Sequence, residues 1–271
     1  MVLTKHRCAD AERWALDGTL LSPEFDFKRL CGMRSAEIHP YLTGLQTTEP
    51  VVGQVLPPIE YDQEVWACGV TYSRSRDARE AETDVKNVYD LVYEAKRPEL
   101  FFKAIGWRVK GAQAAIRIRR DSHWNVPEPE LTLLVNSHAE ILGYCVGNDV
   151  SSRNIEGENP LYLPQAKMYD GSCAIGPGIC LTQADRMRDL PIELVIERDD
   201  EVIFKGDTNT SQIKRPFEEL ASYLTLEMSF PFGAFLMTGT GIIPEKEFSL
   251  SVGDKVIITI DALVLENRVE S

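Results

Sequence analysis

A chain of 271 residues, 26% charged and 44% hydrophobic, has the ordinary globular mix, which excludes a disordered, fibrous or repeat architecture and is long enough to bury a substantial core. Its net charge of −13 is relieved by no long basic run, so nucleic acid and anionic membrane are excluded as partners. No apolar run approaches the roughly 20 residues of a membrane helix, and MVLTKHRCAD lacks the basic-then-apolar pattern of a signal peptide, so a cytoplasmic location is expected.

Residues 1–58 read as a small N-terminal module, with a helix-like stretch at Ala9 to Leu16 followed by loops. Pro57-Pro58 stiffens the connection and marks the boundary, because neither proline can donate to a strand ladder. The main domain then spans 59–271. Alternation in EVWACGVTY predicts a strand from Glu64 that ends near Thr71. Val85, Val88, Tyr89, Val92 and Tyr93 recur at helical spacing, which predicts an amphipathic helix from about Ser75 to Lys96 ahead of Pro98.

From Leu100 onward short apolar runs separated by Gly, Pro and Asn dominate, among them ELFFKA, ELTLLV, EILGYCVGNDV, CAIGPGICL, IELVIER and DKVIITI. Such a series predicts a mostly β (α+β) fold with a sandwich or rolled-barrel core, interrupted by a helix at about Arg215 to Glu227. Arg117, Arg119 and Arg120 alternate along one run and read as a solvated face or an interface. The six cysteines show no CxxC pair and no zinc-like spacing, so they read as reduced, small hydrophobes.

Glu128 and Glu130 flank Pro129, and in extended chain residues two apart project from one face. A turn around Asn136 to Ala139 joins the two runs that follow into a hairpin. Counting outward from a turn centred near Ser137-His138 pairs Glu130 with about Cys145 and Glu128 with about Gly147, which sets Asp149 beside Glu128 at the open end. Three converging carboxylates repel unless a cation neutralises them or one takes a proton. An all-oxygen set favours Mg²⁺, Mn²⁺ or Ca²⁺ over zinc. Spacing alone is equally consistent with two solvated glutamates on an edge strand and a turn aspartate.

Motifs along residues 52 to 266 resemble the fumarylacetoacetate hydrolase superfamily. In order they are LPPI at 56 to 59, GVTY at 69 to 72, PELFFK at 98 to 103, the E-P-E pair, GYCVGNDVSSR at 143 to 153, QAKMYDGSCAIGP at 165 to 177 and TGTG at 238 to 241. The resemblance implies a compact β-roll or sandwich that assembles as a homodimer or higher homo-oligomer, with a Mg²⁺-type ion held by Glu128, Glu130 and Asp149. Hydrolases of the family carry a histidine three residues beyond the tyrosine of the GVTY motif, as base toward water. Here that position is Ser75, and none of His6, His39, His123 and His138 stands there.

The stretches NVYDLVYEAKRPELFFK and IEGENPLYLPQAKMYDGSCAIGP are similar instead to the branch that dehydrates 2-keto-3-deoxy sugar acids. That branch implies a lyase acting on a 2-oxo acid such as 2-dehydro-3-deoxy-D-arabinonate or -xylonate, with 2,5-dioxopentanoate as product. Acylpyruvate-type hydrolase, decarboxylase or isomerase chemistry is the alternative. Under the resemblance Lys167 and Glu99 are the candidate acid and base, although a lone lysine or glutamate is by itself a solvated residue more often than a catalyst. Beside a bound cation the Lys167 ammonium is expected to give up its proton more readily. Ser73, Arg74, Ser75, Tyr89 and Thr240 are candidate substrate contacts, and Gly239 and Gly241 could let backbone approach a ligand. TGTG is followed by no GK[ST] and is no phosphate loop.

Overall fold

The computed structural model describes residues 1–9, 11–73 and 88–271, the side chains of 88–90 excepted. In chain order the strands are β1 (Val2–Arg7), β2 (Glu12–Leu16), β3 (Thr19–Leu21), β4 (Gln46–Pro50), β5 (Gln54–Leu56), β6 (Glu64–Gly69), β7 (Glu99–Ile105), β8 (Ile116–Arg117) and β9 (Asn125–Val126). They continue with β10 (Pro129–Val135), β11 (Ile141–Asp149), β12 (Ser151–Ser152), β13 (Cys173–Leu181), β14 (Pro191–Arg198), β15 (Glu201–Asn209), β16 (Ala234–Met237), β17 (Lys255–Ile260) and β18 (Leu263–Glu270). The α-helices are α1 (Phe27–Cys31), α2 (Ser35–Leu45), α3 (Val88–Glu94), α4 (Arg153–Glu158), α5 (Leu163–Lys167) and α6 (Phe217–Thr225).

The large sheet runs β4-β3-β2-β1-β13-β11-β10-β16-β6-β7, with β5 added beside β1. A second sheet runs β15-β14-β17-β18-β8. The mostly β reading therefore holds, and both faces of the large sheet are covered. On one face Leu131, Leu133, Tyr144 and Val146 pack with Ile192, Leu194, Val256 and Ile258 of the second sheet and with Phe217, Leu220 and Leu224 of α6. On the other, Leu134, Cys145, Ile175 and Phe235 pack with Leu16, Leu21, Phe27, Leu30 and Leu42 from the N-terminal segment. A central strand covered on both faces has no reason to alternate, which is why every residue of β10 is buried.

Three local expectations need correction. Among the described residues of the stretch Ala9 to Leu16 there is no helix. Its latter part is β2, paired with β1 from Leu3↔Leu16 to Arg7↔Glu12, so a non-local partner overrides helical spacing too short to nucleate alone. Because β1 also pairs with β13, the N-terminal segment shares a sheet and a core with the rest of the chain. The strand from Glu64 stops at Gly69 rather than near Thr71. Val70 has φ +52°, a left-handed conformation that no ladder continues through and that costs a β-branched residue about 1–3 kcal/mol.

The metal hairpin is shifted by two residues from the expected count. Glu130 lies opposite Gly147 and Thr132 opposite Cys145, with a bulge between Leu134 and Val135. The turn centres on His138, with Asn136 N–H bonded to Glu140 O at 3.0 Å, and the bulge supplies the remaining residue. A shift of two keeps every side chain on its face, whereas a shift of one would have reversed them all.

Candidate metal centre and catalytic cavity

Glu128 precedes β10, Glu130 lies within it and Asp149 ends β11. The Asp149 N–H donates to Glu128 O at 3.0 Å, so these two residues stand side by side, as expected. One carboxylate oxygen from each of Glu128, Glu130 and Asp149 lies within 4.8 Å of the others, and all three residues are buried.

Buried cations gather around them. Lys167 Nζ donates to Glu128 Oε2 at 2.7 Å, Asp149 Oδ2 at 2.9 Å and Ser151 Oγ at 2.6 Å. Arg153 Nη2, on α4, lies 3.1 Å from Glu128 Oε1. Lys103, on β7 and wholly buried, forms an ion pair with Asp149 Oδ1 and donates to the carbonyls of Val150 at 3.1 Å and Lys167 at 2.5 Å. Two of these cations were missed from sequence: Lys103 was noted only as the end of PELFFK, and Arg153 only as the end of GYCVGNDVSSR. Nothing local signals that either turns toward a carboxylate.

Glu130 is held differently. It accepts the Gly239 N–H at 2.6 Å but has no ion pair among the described residues. Burial, then the charges of Asp149 and Glu128, push its carboxyl well above the usual range. Gly239 has φ +90°, and a Cβ there would come within 2.1 Å of Thr71 Oγ1. The glycine of TGTG thus brings backbone close, as its sequence suggested, though onto Glu130.

The cavity over this cluster is lined by Cys68, Gly69, Val70, Glu99, Phe101, Glu128, Glu130, Asp149, Glu156, Leu163, Lys167, Gly239 and Thr240. It brings Lys167, Glu99 and Thr240 together with the three metal candidates. Glu99 lies opposite Gly69 across β6 and β7, packed so closely that a Cβ on residue 69 would meet Glu99 Oε2 at 2.0 Å. Ser73 is exposed and does not line the cavity, because the chain leaves the sheet at Val70. Arg74 and Ser75 lie outside the described residues, as does the side chain of Tyr89 on α3. The sequence reading also omitted Glu156, which α4 carries into the cavity.

The donor set suits a hard divalent ion: three buried carboxylates from one hairpin, an all-oxygen set whose ligand atoms lie within 4.8 Å of one another. Glu130 gives a direct test. A group whose folded pKa is raised contributes fully to stability below its unfolded value, here 4.5, and that contribution is lost as pH rises through the folded value. Metal-free protein is therefore expected to lose stability as pH climbs above about 5. Glu130→Gln should lose less, melt higher than wild type without metal and no longer be stabilised by Mg²⁺, all read from thermal melts.

The profile of the family described as fumarylacetoacetate (FAA) hydrolase C-terminal matches residues 66–270. The chain belongs to the fumarylacetoacetate hydrolase family. Within that family it is 50% identical over 211 residues to a protein named "Probable 2-keto-3-deoxyxylonate dehydratase" from Haloferax volcanii, covering 76% of this chain and 72% of that one. It is 43% identical over 215 residues to 2-dehydro-3-deoxy-D-arabinonate dehydratase of Saccharolobus solfataricus, covering 76% and 71%. A solved 2-keto-3-deoxy-D-arabinonate dehydratase, complexed with magnesium and 2,5-dioxopentanoate, superposes with a TM-score of 0.80 at 34% identity over 100% of this chain and 99% of that one. The fumarylacetoacetate hydrolase fold expected from the motifs is thus the fold observed.

Proposed function

We propose that this chain is a metal-dependent hydro-lyase that converts a 2-keto-3-deoxy pentonate, of the arabinonate or xylonate type, into 2,5-dioxopentanoate and water. The observation that carries the reading is one buried cavity in which Glu128, Glu130, Asp149, Lys167 and Glu99 meet. Its support from relatives is the likeness to the dehydratase solved with magnesium and that product.

A divalent ion held by Glu128, Glu130 and Asp149 supplies a Lewis acid that polarises the 2-oxo group and stabilises the charge left when the C3 proton departs. Glu99, an acceptor in the cavity wall, takes that proton. Lys167 donates to three acceptors and so enters as the ammonium, giving a proton to the C4 hydroxyl, which leaves as water. Transfer of a proton from C5 to C3 then yields the C4–C5 enol, which ketonises to the aldehyde, so the net change is loss of one water. Thr240 in the wall offers a hydroxyl to the substrate. The reading includes a cytoplasmic location, which suits six cysteines free of disulfides, and a homodimer or larger homo-oligomer, for which family resemblance is the support.

The test is turnover of 2-keto-3-deoxypentonates in both C4 configurations by EDTA-treated enzyme, with and without added Mg²⁺ or Mn²⁺. Semialdehyde that appears only with metal is the expected result. Absence of product from both substrates by enzyme shown calorimetrically to hold Mg²⁺ would overturn the dehydratase reading.

A further inference from the structure

Lys167 stands at the end of α5, a helix of only 5 residues. So short a helix does not hold itself in water, and the last carbonyls of any helix have no partner within it. Side chains from elsewhere take two of these carbonyls. Lys103 Nζ and Ser172 Oγ donate to Lys167 O at 2.5 and 2.8 Å, and Arg119 Nη1 donates to Gln165 O at 2.9 Å. The Arg119 guanidinium also lies over the ring of Tyr169, 5.5 Å from its centroid, within cation–π range. Arg119 thus grips the chain on both sides of Lys167, at positions 165 and 169. Its direction is fixed by Asp121, to which Nε and Nη2 donate at 2.7 and 2.5 Å, a bidentate pairing that sets the plane of the fork. Arg119 is outside the catalytic cavity and lines a separate groove with Arg117, Arg120, Tyr169 and Asp170.

We infer that Arg119 is a positioning residue for Lys167, acting through the backbone of α5 and the Tyr169 ring rather than on substrate or metal. The proposed metal ligands belong to the β10–β11 hairpin, whereas Arg119 holds α5, so its loss should displace the acid and leave the ion in place. A misplacement of about 1 Å caused far from the chemistry can cost about 100-fold in rate. The catalytic half of this inference rests on Lys167 being the acid of the proposed dehydration; the hold on α5 does not.

The experiment compares wild type, Arg119→Met, Lys167→Ala and the double variant, all loaded with Mg²⁺, by steady-state kinetics and by amide hydrogen exchange. Arg119→Met is expected to lower kcat about 10- to 100-fold, with KM and Mg²⁺ affinity within about threefold of wild type. In the Lys167→Ala background the same substitution should cost less than about threefold, because a residue that acts through Lys167 has nothing left to position. Exchange should quicken at least about tenfold over residues 163–169 and stay unchanged over the hairpin. Wild-type kcat in Arg119→Met, or its full loss repeated in the Lys167→Ala background, would overturn the inference. Asp121→Ala removes only the brace, an exposed side chain at 64%, so it keeps the fold and should quicken the same exchange. No quickening in a folded variant would also overturn the inference, whatever the turnover. Quickened exchange in an enzyme that dehydrates no sugar acid would sink the dehydratase reading and leave the grip of Arg119 on α5 standing.

Discussion

Replacing Lys167 with alanine is expected to lower turnover about 10²- to 10⁴-fold, the range for a positioned acid or base, while Mg²⁺ still binds. Its ammonium lies within hydrogen-bond distance of Glu128, Asp149 and Ser151, so it shares the cavity with the proposed metal ligands and, as an ammonium, offers a metal no lone pair. The same contacts predict an effect on the metal-free protein. Glu128 keeps Arg153 and Asp149 keeps Lys103, but the buried cluster loses one of its positive charges, at up to about 3–5 kcal/mol, so the apoprotein should melt lower. Added Mg²⁺ should then recover more stability than it adds to wild type, because the ion takes over the neutralising role. Turnover, calorimetric titration and melts with and without metal check the three statements. Full turnover by the variant would rule out Lys167 as the acid and leave the metal assignment untouched.

Asp149→Asn is expected to abolish metal binding and activity together. The substitution keeps the shape of the side chain but removes its charge from the metal group and from two ammoniums, Lys103 and Lys167. Loss of a mere supporting contact weakens metal sites about 10- to 100-fold, so loss of a ligand charge should cost Mg²⁺ affinity at least about 100-fold. Without metal the variant should melt below wild type, since wholly buried Lys103 loses its carboxylate. Glu130→Gln is expected to shift the metal-free melt the opposite way, because Glu130 sits among like charges with no ion pair among the described residues. Opposite shifts from two ligands of one site separate the electrostatics from any general loss of packing. Equal shifts would refute the charge arrangement described above.

The central hairpin was legible from local pattern because strand alternation has a period of two. That period carried Glu128, Glu130 and Asp149 to one face even though the counted register was off by two residues. Lys167 and Glu99, the proposed acid and base, stood out only through motifs, since spacing gives a lone residue no direction. The helix expected at Ala9 to Leu16 failed because β2 is chosen by its partner β1. The candidate contact Ser73 fell outside the cavity because the left-handed turn at Val70 ends the strand before it.

Sequence by itself thus determined the mostly β class and the placing of Glu128, Glu130 and Asp149 on one hairpin, while the family resemblance, not the spacing, marked them as candidate metal ligands. Only the tertiary structure decided how that negative cluster is tolerated. Lys103 arrives on β7, Arg153 on α4 and Lys167 on α5, and Lys103 reaches the carbonyl of a residue 64 positions away. Only the tertiary structure, likewise, placed Glu156 in the cavity and joined the N-terminal strands to β13. Charge neutralisation and strand pairing act through space, between segments whose proximity no local periodicity encodes.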